Sequence, residues 1–264
     1  FLKHEYNLHD IPLLELEQSF IEQYHVYLKT VCRSKAGSVC RYMDRWNNNV
    51  VKISFNNGLM PRNPFAFYSY SAPMEPRTFL SEEVLRIFQT SRLKSAKHEY
   101  HRDLFLFSCF TGMAHADVKG LTQEMIQRSF DGDLWIVKKR QKTSTPFKIK
   151  LCGITKRIIA RYKREVAGTN LVLPIPDIAY CNRVLKKIAA EVGIDKVITF
   201  HMARHTFATT NALAQGIRIE VVSRMLGHTN IKTTQIYAKV TDDMLAKGFD
   251  EMAGIYADKY SLAQ

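Results

Sequence analysis

Near the C-terminus, three residue types with chemical potential fall in a fixed order. His201, Arg204 and His205 come first, Leu226-Gly227-His228 follows, and Tyr237 stands nine residues after His228. Guanidinium forks and imidazole donors suit the oxygens of a phosphate diester. A tyrosine hydroxyl can attack phosphorus and leave a covalent phosphotyrosine. Taken singly, each residue has a plainer reading, because the chain holds nine histidines and twelve tyrosines and most of these must pack or face solvent. The ordered set in one segment is what points to chemistry. His201 and His205 at helical spacing also resemble a pair of metal ligands, but no His-Glu-x-x-His occurs and no carboxylate or cysteine cluster follows, so neither a metal nor a cofactor is expected.

These residues need elements to aim them. A helix beginning near Phe200 carries His201, Arg204 and His205 on one face, since residues three and four apart are surface neighbours. Gly227 suits a helix end, where glycine adopts the left-handed cap at little cost, and it presents His228 just beyond.

Composition narrows the partner. The 264 residues, 46% hydrophobic, suffice for one large domain or two ordinary ones. A formal charge of +13 calls for a polyanion, most simply nucleic acid, although anionic membranes also attract basic proteins. The charge is uneven: residues 1 to 28 are net −4, whereas 29 to 62 carry seven basic residues against Asp44 alone. Five scattered cysteines without a Cys-x-x-Cys pair argue for a reducing compartment. No apolar run approaches a membrane span and no signal peptide is visible, so a soluble intracellular protein is expected. The start at Phe1 without methionine reads as a fragment whose N-terminal part has been removed.

Along the chain, Ile11 to Lys29 reads as an amphipathic helix with Leu14, Phe20, Ile21, Tyr24 and Leu28 on one broad face. Ser34 is placed to cap a second helix from Lys35 to about Ser54, along which Lys35, Arg41, Arg45 and Lys52 are spread. Those four residues are either DNA contacts or an ordinary solvated face. Residues 66 to 78 read as a linker, dividing a helical domain over residues 1–70 from a larger one over 79–264. Helices are expected from a Ser81 cap and over Ala96 to Phe110, then Gly153 to Val166, Asp177 to Val192 and Asp242 to Tyr256. Leu134 to Leu151 reads as a β-hairpin whose first strand, by alternation, puts Lys138, Arg140 and Lys142 on one face. The fold class is thus mainly α with a small β-hairpin or sheet.

The pattern His-x-x-Arg, Leu-Gly-His, then tyrosine nine residues on closely resembles the catalytic signature of the tyrosine recombinases, the phage-integrase family. The resemblance implies a small helical core-binding domain that clamps double-stranded DNA, and a mainly helical catalytic domain. It implies roles too: Tyr237 as nucleophile, Arg204 and His228 on the phosphate, His201 assisting proton removal, and Lys142 on the hairpin protonating the departing oxygen. It implies a homo-oligomer, a tetramer on DNA, joined through the C-terminal helix, in a prokaryotic cytoplasm. One position departs from the family: the first catalytic arginine should follow a Thr-Gly-Leu-like turn, and here Thr111-Gly112-Met113 leads to Ala114. Integrases of conjugative transposons also lack arginine there and keep an Arg-x-Lys-Thr sequence on the hairpin, matched here by Arg140 to Thr143. Arg140 is therefore the expected replacement, against the alternatives of a DNA-backbone contact or an exposed hairpin charge. A degenerate DNA-binding homologue and a type IB topoisomerase remain the alternative functions.

Overall fold

The computed structural model describes residues 1–73, 78–238 and 242–260, and the chain divides into two compact units, Phe1–Pro76 and Arg77–Gln264. Residues 74–77 of the expected linker lie outside the described residues.

In the first unit, α1 (Gln18–Thr30) packs against α2 (Ala36–Trp46), which continues through a π-helical turn (Asn47–Val51) into α3 (Lys52–Asn56). The first helix starts later than its apolar spacing suggests: Pro12 permits only a single 3-10 turn, Leu13–Glu15, and Leu14 points into solvent. Lys35, not Ser34, occupies the cap position of α2. Ile21, Met43 and Val51 form the centre of this core. Tyr68 and Tyr70 pack against it as well, each through its phenol: Tyr70 donates to Asp44 at 2.8 Å, and Tyr68 hydrogen-bonds the His25 ring. The segment expected as linker from residue 66 therefore begins as part of the small unit's wall. Lys35, Arg41, Arg45 and Lys52 are all exposed.

The second unit is built around α5. It is preceded by α4 (Glu82–Thr90), whose Ser81 cap accepts from Val84 N and whose first turn carries Glu82 and Glu83, both suited to the positive helix end. The helix α5 (Ala96–Thr111) is capped by Ser95 and buried on most sides by Leu104, Phe105 and Phe107, with Phe88 and Phe200 against it. Gly112 ends it in the left-handed conformation at φ 67°. A Cβ at Gly112 would also fall 2.5 Å from the Phe207 ring, so glycine is required there twice over.

After α6 (His115–Lys119) come three antiparallel strands in the order β1-β2-β3: β1 (Ile126–Arg128), β2 (Leu134–Lys139) and β3 (Pro146–Lys150). The strand β1 is an addition to the expected β2–β3 hairpin, and at three residues it is too short to show a period of its own. Pairing of Ile136 with Ile149 and of Lys138 with Phe147 turns the apolar side chains of β3 inward. Strand geometry stops at Lys139, so alternation does not carry Arg140 and Lys142 onto the face of Lys138. Instead Arg140 N–H donates to Thr145 O at 2.8 Å, and Ser144, at φ 54°, closes the turn.

The helices α7 (Gly153–Arg161) and α8 (Ile178–Glu191) complete the shell; α7 ends five residues earlier than expected, at Tyr162, whose phenol is taken by Asp103. The last part runs through α9 (Phe200–Thr206), a π-helical continuation (Phe207–Ala212), α10 (Ile219–Met225), α11 (Lys232–Gln235) and α12 (Asp242–Lys259). Thr206 and Thr210 side chains hold both polar groups of the Leu80 backbone, tying the start of the unit to α9.

Candidate active site

The helix α9 begins at Phe200, whose N–H is capped by Asn182 Oδ1 at 2.7 Å, and it points Arg204 inward. Arg204 is 3% exposed and its guanidinium is held by three groups from two parts of the chain: Nη1 donates to Gly112 O at 2.7 Å, and Nη2 donates to Leu226 O at 2.5 Å and to His228 Nε2 at 3.1 Å. Two helix ends thus supply the carbonyls that orient it. Burial, followed by the charge of Arg140, pushes the Arg204 pKa down to about 10, while the Tyr237 phenol beside it works in the opposite direction.

His228 lies just past α10, after Gly227 at φ 62°, as the sequence pattern suggests. An arginine has no acceptor, so His228 Nε2 must accept from Arg204 and the ring proton must sit on Nδ1. Nδ1 lies 2.8 Å from the hydroxyl of Thr234, which is fully buried. Burial, then Arg204 and Arg140, lower the His228 pKa to about 4, so the imidazole is neutral at pH 7. Tyr237, 5% exposed, stacks on His228 with centroids 6.1 Å apart and planes 13° apart, and it also meets the His205 ring, tilted, at 5.0 Å.

Arg140 reaches this group from the hairpin turn. A Cβ on Gly227 would come within 3.1 Å of Arg140 Cγ and Cδ, so the stem of Arg140 lies directly against the Gly227 backbone. Buried Asp117, on α6, faces its Nε at 3.8 Å and accepts from Gln141 N at 2.9 Å. That Nε is buried and makes no hydrogen bond to the described residues. Two guanidinium groups therefore converge beside one carboxylate, an arrangement with excess positive charge that suits a phosphate.

The structure brings together Arg204, Arg140, His228 and Tyr237. It does not bring every residue singled out from the sequence to the same point. His201 is exposed on α9, with its ring edge-on to His205 at 4.6 Å, so His205 lies between it and the Tyr237 ring. Lys142 is exposed in the hairpin turn. Lys138 Nζ bonds the Gly120 carbonyl and approaches Met125 Sδ at 3.6 Å. Ala114 takes the cap position of α6 and offers no polar side chain. Among the described residues no cluster of metal-binding side chains occurs and no helix is long and apolar enough to cross a membrane. Thr234 and the carbonyls of Gly112 and Leu226 were not apparent from sequence as parts of the site. Only the position of Thr234, one turn before the tyrosine, hints at its place.

A helical unit carrying this pocket beside a three-stranded sheet has the fold of the tyrosine recombinases. The integrase of transposon Tn1549 in complex with a circular intermediate DNA superposes with a TM-score of 0.73 at 18% identity, covering 95% of this chain and 96% of that one. A lambda integrase dimer bound to a core site gives 0.67 at 16% identity, over 88% of this chain and 83% of that one. A model of the phage integrase family matches residues 77–244, more than half of the sequence, and the protein belongs to that family. Among relatives, tyrosine recombinase XerC of Bacillus licheniformis is 26% identical over 216 residues, 75% of this chain and 69% of its own. XerD of Halalkalibacterium halodurans is 49% identical over 59 residues, so the match spans only 19% of that relative's length.

Proposed function

We propose that this chain is a site-specific DNA recombinase that cuts and rejoins double-stranded DNA through a 3′-phosphotyrosine, serving the integration or excision of a mobile element in a prokaryotic cytoplasm. The observation that carries the reading is the packing of the Tyr237 ring on His228 beside the buried guanidinium of Arg204. The Tyr237 hydroxyl attacks phosphorus, the bond from phosphorus to the 5′ oxygen breaks, and Lys142 gives that oxygen its proton. Arg204 and Arg140 neutralise the nonbridging oxygens, where charge builds. His201, acting alone or through His205, takes the phenolic proton. A 5′-hydroxyl from the partner strand then attacks the phosphotyrosine, and the tyrosine leaves reprotonated. The bond energy stays in the protein link, so this chemistry calls for neither nucleotide nor metal.

In this reading Phe1–Pro76 clamps the duplex with Lys35, Arg41, Arg45 and Lys52, and binding weakens steeply with salt. An oligomer on DNA is supported by α12, whose Leu245, Phe249, Met252 and Ile255 are exposed. Incubation with a nicked suicide substrate carrying the element's attachment site should trap a covalent complex. Tyr237→Phe should abolish trapping and leave binding intact. A covalent product that persists in this variant overturns the assignment, and a wild-type chain that binds without ever forming one is a DNA-binding homologue. Relaxation of plasmids lacking the site would point to a topoisomerase.

A further inference from the structure

The imidazole of His228 faces two directions with opposite demands. Toward Arg204 its Nε2 must accept, because a guanidinium only donates, and the proton therefore lies on Nδ1, against Thr234 Oγ1 at 2.8 Å. Toward a phosphate oxygen, which only accepts, the same Nε2 must carry a proton. Charging the ring is one way to supply it, but two guanidiniums and burial stand against that, with the pKa of the ring held at about 4. The remaining way is to exchange tautomers, which needs a partner at Nδ1 that can donate as readily as it accepts. A carboxylate or a backbone carbonyl there can only accept. A hydroxyl does both by rotating about one bond.

We propose that Thr234 is a positioning residue that lets His228 change tautomer when a phosphate enters the site, an inference that rests on the recombinase reading above. Without substrate, Nδ1–H donates to Thr234 Oγ1 and Nε2 accepts from Arg204. With a phosphate bound, Arg204 turns its Nη2 to the anion. The ring loses its Nδ1 proton to solvent and gains one on Nε2 from solvent, so no net charge is added. Nε2–H then donates to the phosphate, and the Thr234 hydroxyl reverses to donate to Nδ1. Thr234 is suited to this by its own burial, which leaves the imidazole as its hydrogen-bond partner, while the His228 ring is only partly buried and exchanges its protons with solvent. Its backbone also serves the nucleophile: Tyr237 N–H donates to Thr234 O at 2.9 Å, so one residue sets both the imidazole and the turn that carries the phenol.

The test is nitrogen NMR of the full chain labelled in its histidine rings, titrated with dimethyl phosphate, whose nonbridging oxygens only accept, at pH 7, with His228→Gln to assign the signal. In the wild type, the Nδ1–H form should give way to the Nε2–H form as phosphate is added, with no signature of the charged ring. Thr234→Ser should behave alike. Thr234→Val, which keeps the volume and removes the hydroxyl, should show mixed tautomers from the start and no switch, and should cut suicide substrate about tenfold or more slowly at unchanged DNA affinity, the size of one lost hydrogen bond. A wild-type ring that keeps Nδ1–H throughout the titration, or becomes charged, overturns the proposal, as does a Thr234→Val variant that switches normally. Because the NMR arm needs no strand cleavage, a chain that switches tautomer yet never forms a covalent product would refute the recombinase reading and leave the role of Thr234 standing.

Discussion

The backbone of Gly227 lies against the stem of Arg140, so closely that a Cβ would sit 3.1 Å from both Cγ and Cδ and the stem would have to shift by a few tenths of an ångström. The same glycine has φ 62°, so alanine there meets two penalties. Gly227→Ala should cost about 1–2 kcal/mol from the left-handed backbone, read as a lowered Tm. Because the clash displaces Arg140, cleavage of a suicide substrate should fall further than the stability loss explains at a temperature where the variant is folded.

Arg140 is expected to act on the reaction more than on binding. Arg140→Ala should slow covalent-complex formation by about 100- to 1,000-fold, the range for losing one preorganised donor, with a small change in the DNA dissociation constant. Equal losses in both would reduce Arg140 to a phosphate anchor.

Asp117 faces the Arg140 guanidinium and accepts from the neighbouring amide of Gln141. Asp117→Ala should therefore reproduce the Arg140→Ala defect in part and add little to it, so the double variant should be no slower than Arg140→Ala alone. Additive losses in that cycle would show that the two residues act separately.

The neutral imidazole of His228 makes stability depend on pH. Its folded value, about 4, lies below the ordinary 6.5. Above pH 6.5 neither state binds a proton there, and the native state keeps its full margin. As pH falls from 6.5 toward 4 the unfolded chain takes up a proton that the folded chain refuses, so stability drops across that window. The Tm of His228→Gln should decline less than that of the wild type between pH 7 and pH 5; parallel curves would contradict the assignment.

Asp103, 6% exposed on α5, accepts from Arg161 Nη1 at 2.6 Å and from the Tyr162 phenol at 2.8 Å. Burial, then this carboxylate, push the Tyr162 phenol well above its ordinary value, so it stays protonated. Asp103→Ala leaves a buried hydroxyl without its acceptor and should destabilise by about 1–3 kcal/mol in chemical denaturation. Asp103→Asn, which keeps an acceptor for the phenol, should recover part of that loss.

Much of the site was legible in order and spacing. His201, Arg204 and His205 at helical intervals, glycine before His228 and tyrosine nine residues later are local facts, because a helix turn and a left-handed cap are decided within a few residues. The start of α9 at Phe200 and the Ser81 cap of α4 follow from the same local rules. Elements whose bounds depend on contacts from elsewhere were less legible: α1 starts after Pro12, α7 stops where Tyr162 meets Asp103, and β1 exists only through its pairing with β2.

What sequence determined by itself was the family, the chemistry-bearing residue types and the excess of positive charge seeking a polyanion. What only tertiary structure decided was which cation stands beside Arg204. Ala114 and Arg140 are 26 positions apart in the numbering, and nothing in the strand period brings Arg140 inward once β2 has ended at Lys139. It is brought in by the local turn at Ser144 and by two contacts from distant parts of the chain, buried Asp117 and the bare backbone of Gly227. The same holds for Thr234, whose hydroxyl gains its meaning from a ring six residues earlier that folds back over it. Side-chain type and local turn are written in short stretches of sequence; the meeting of two side chains across a core is settled by packing alone.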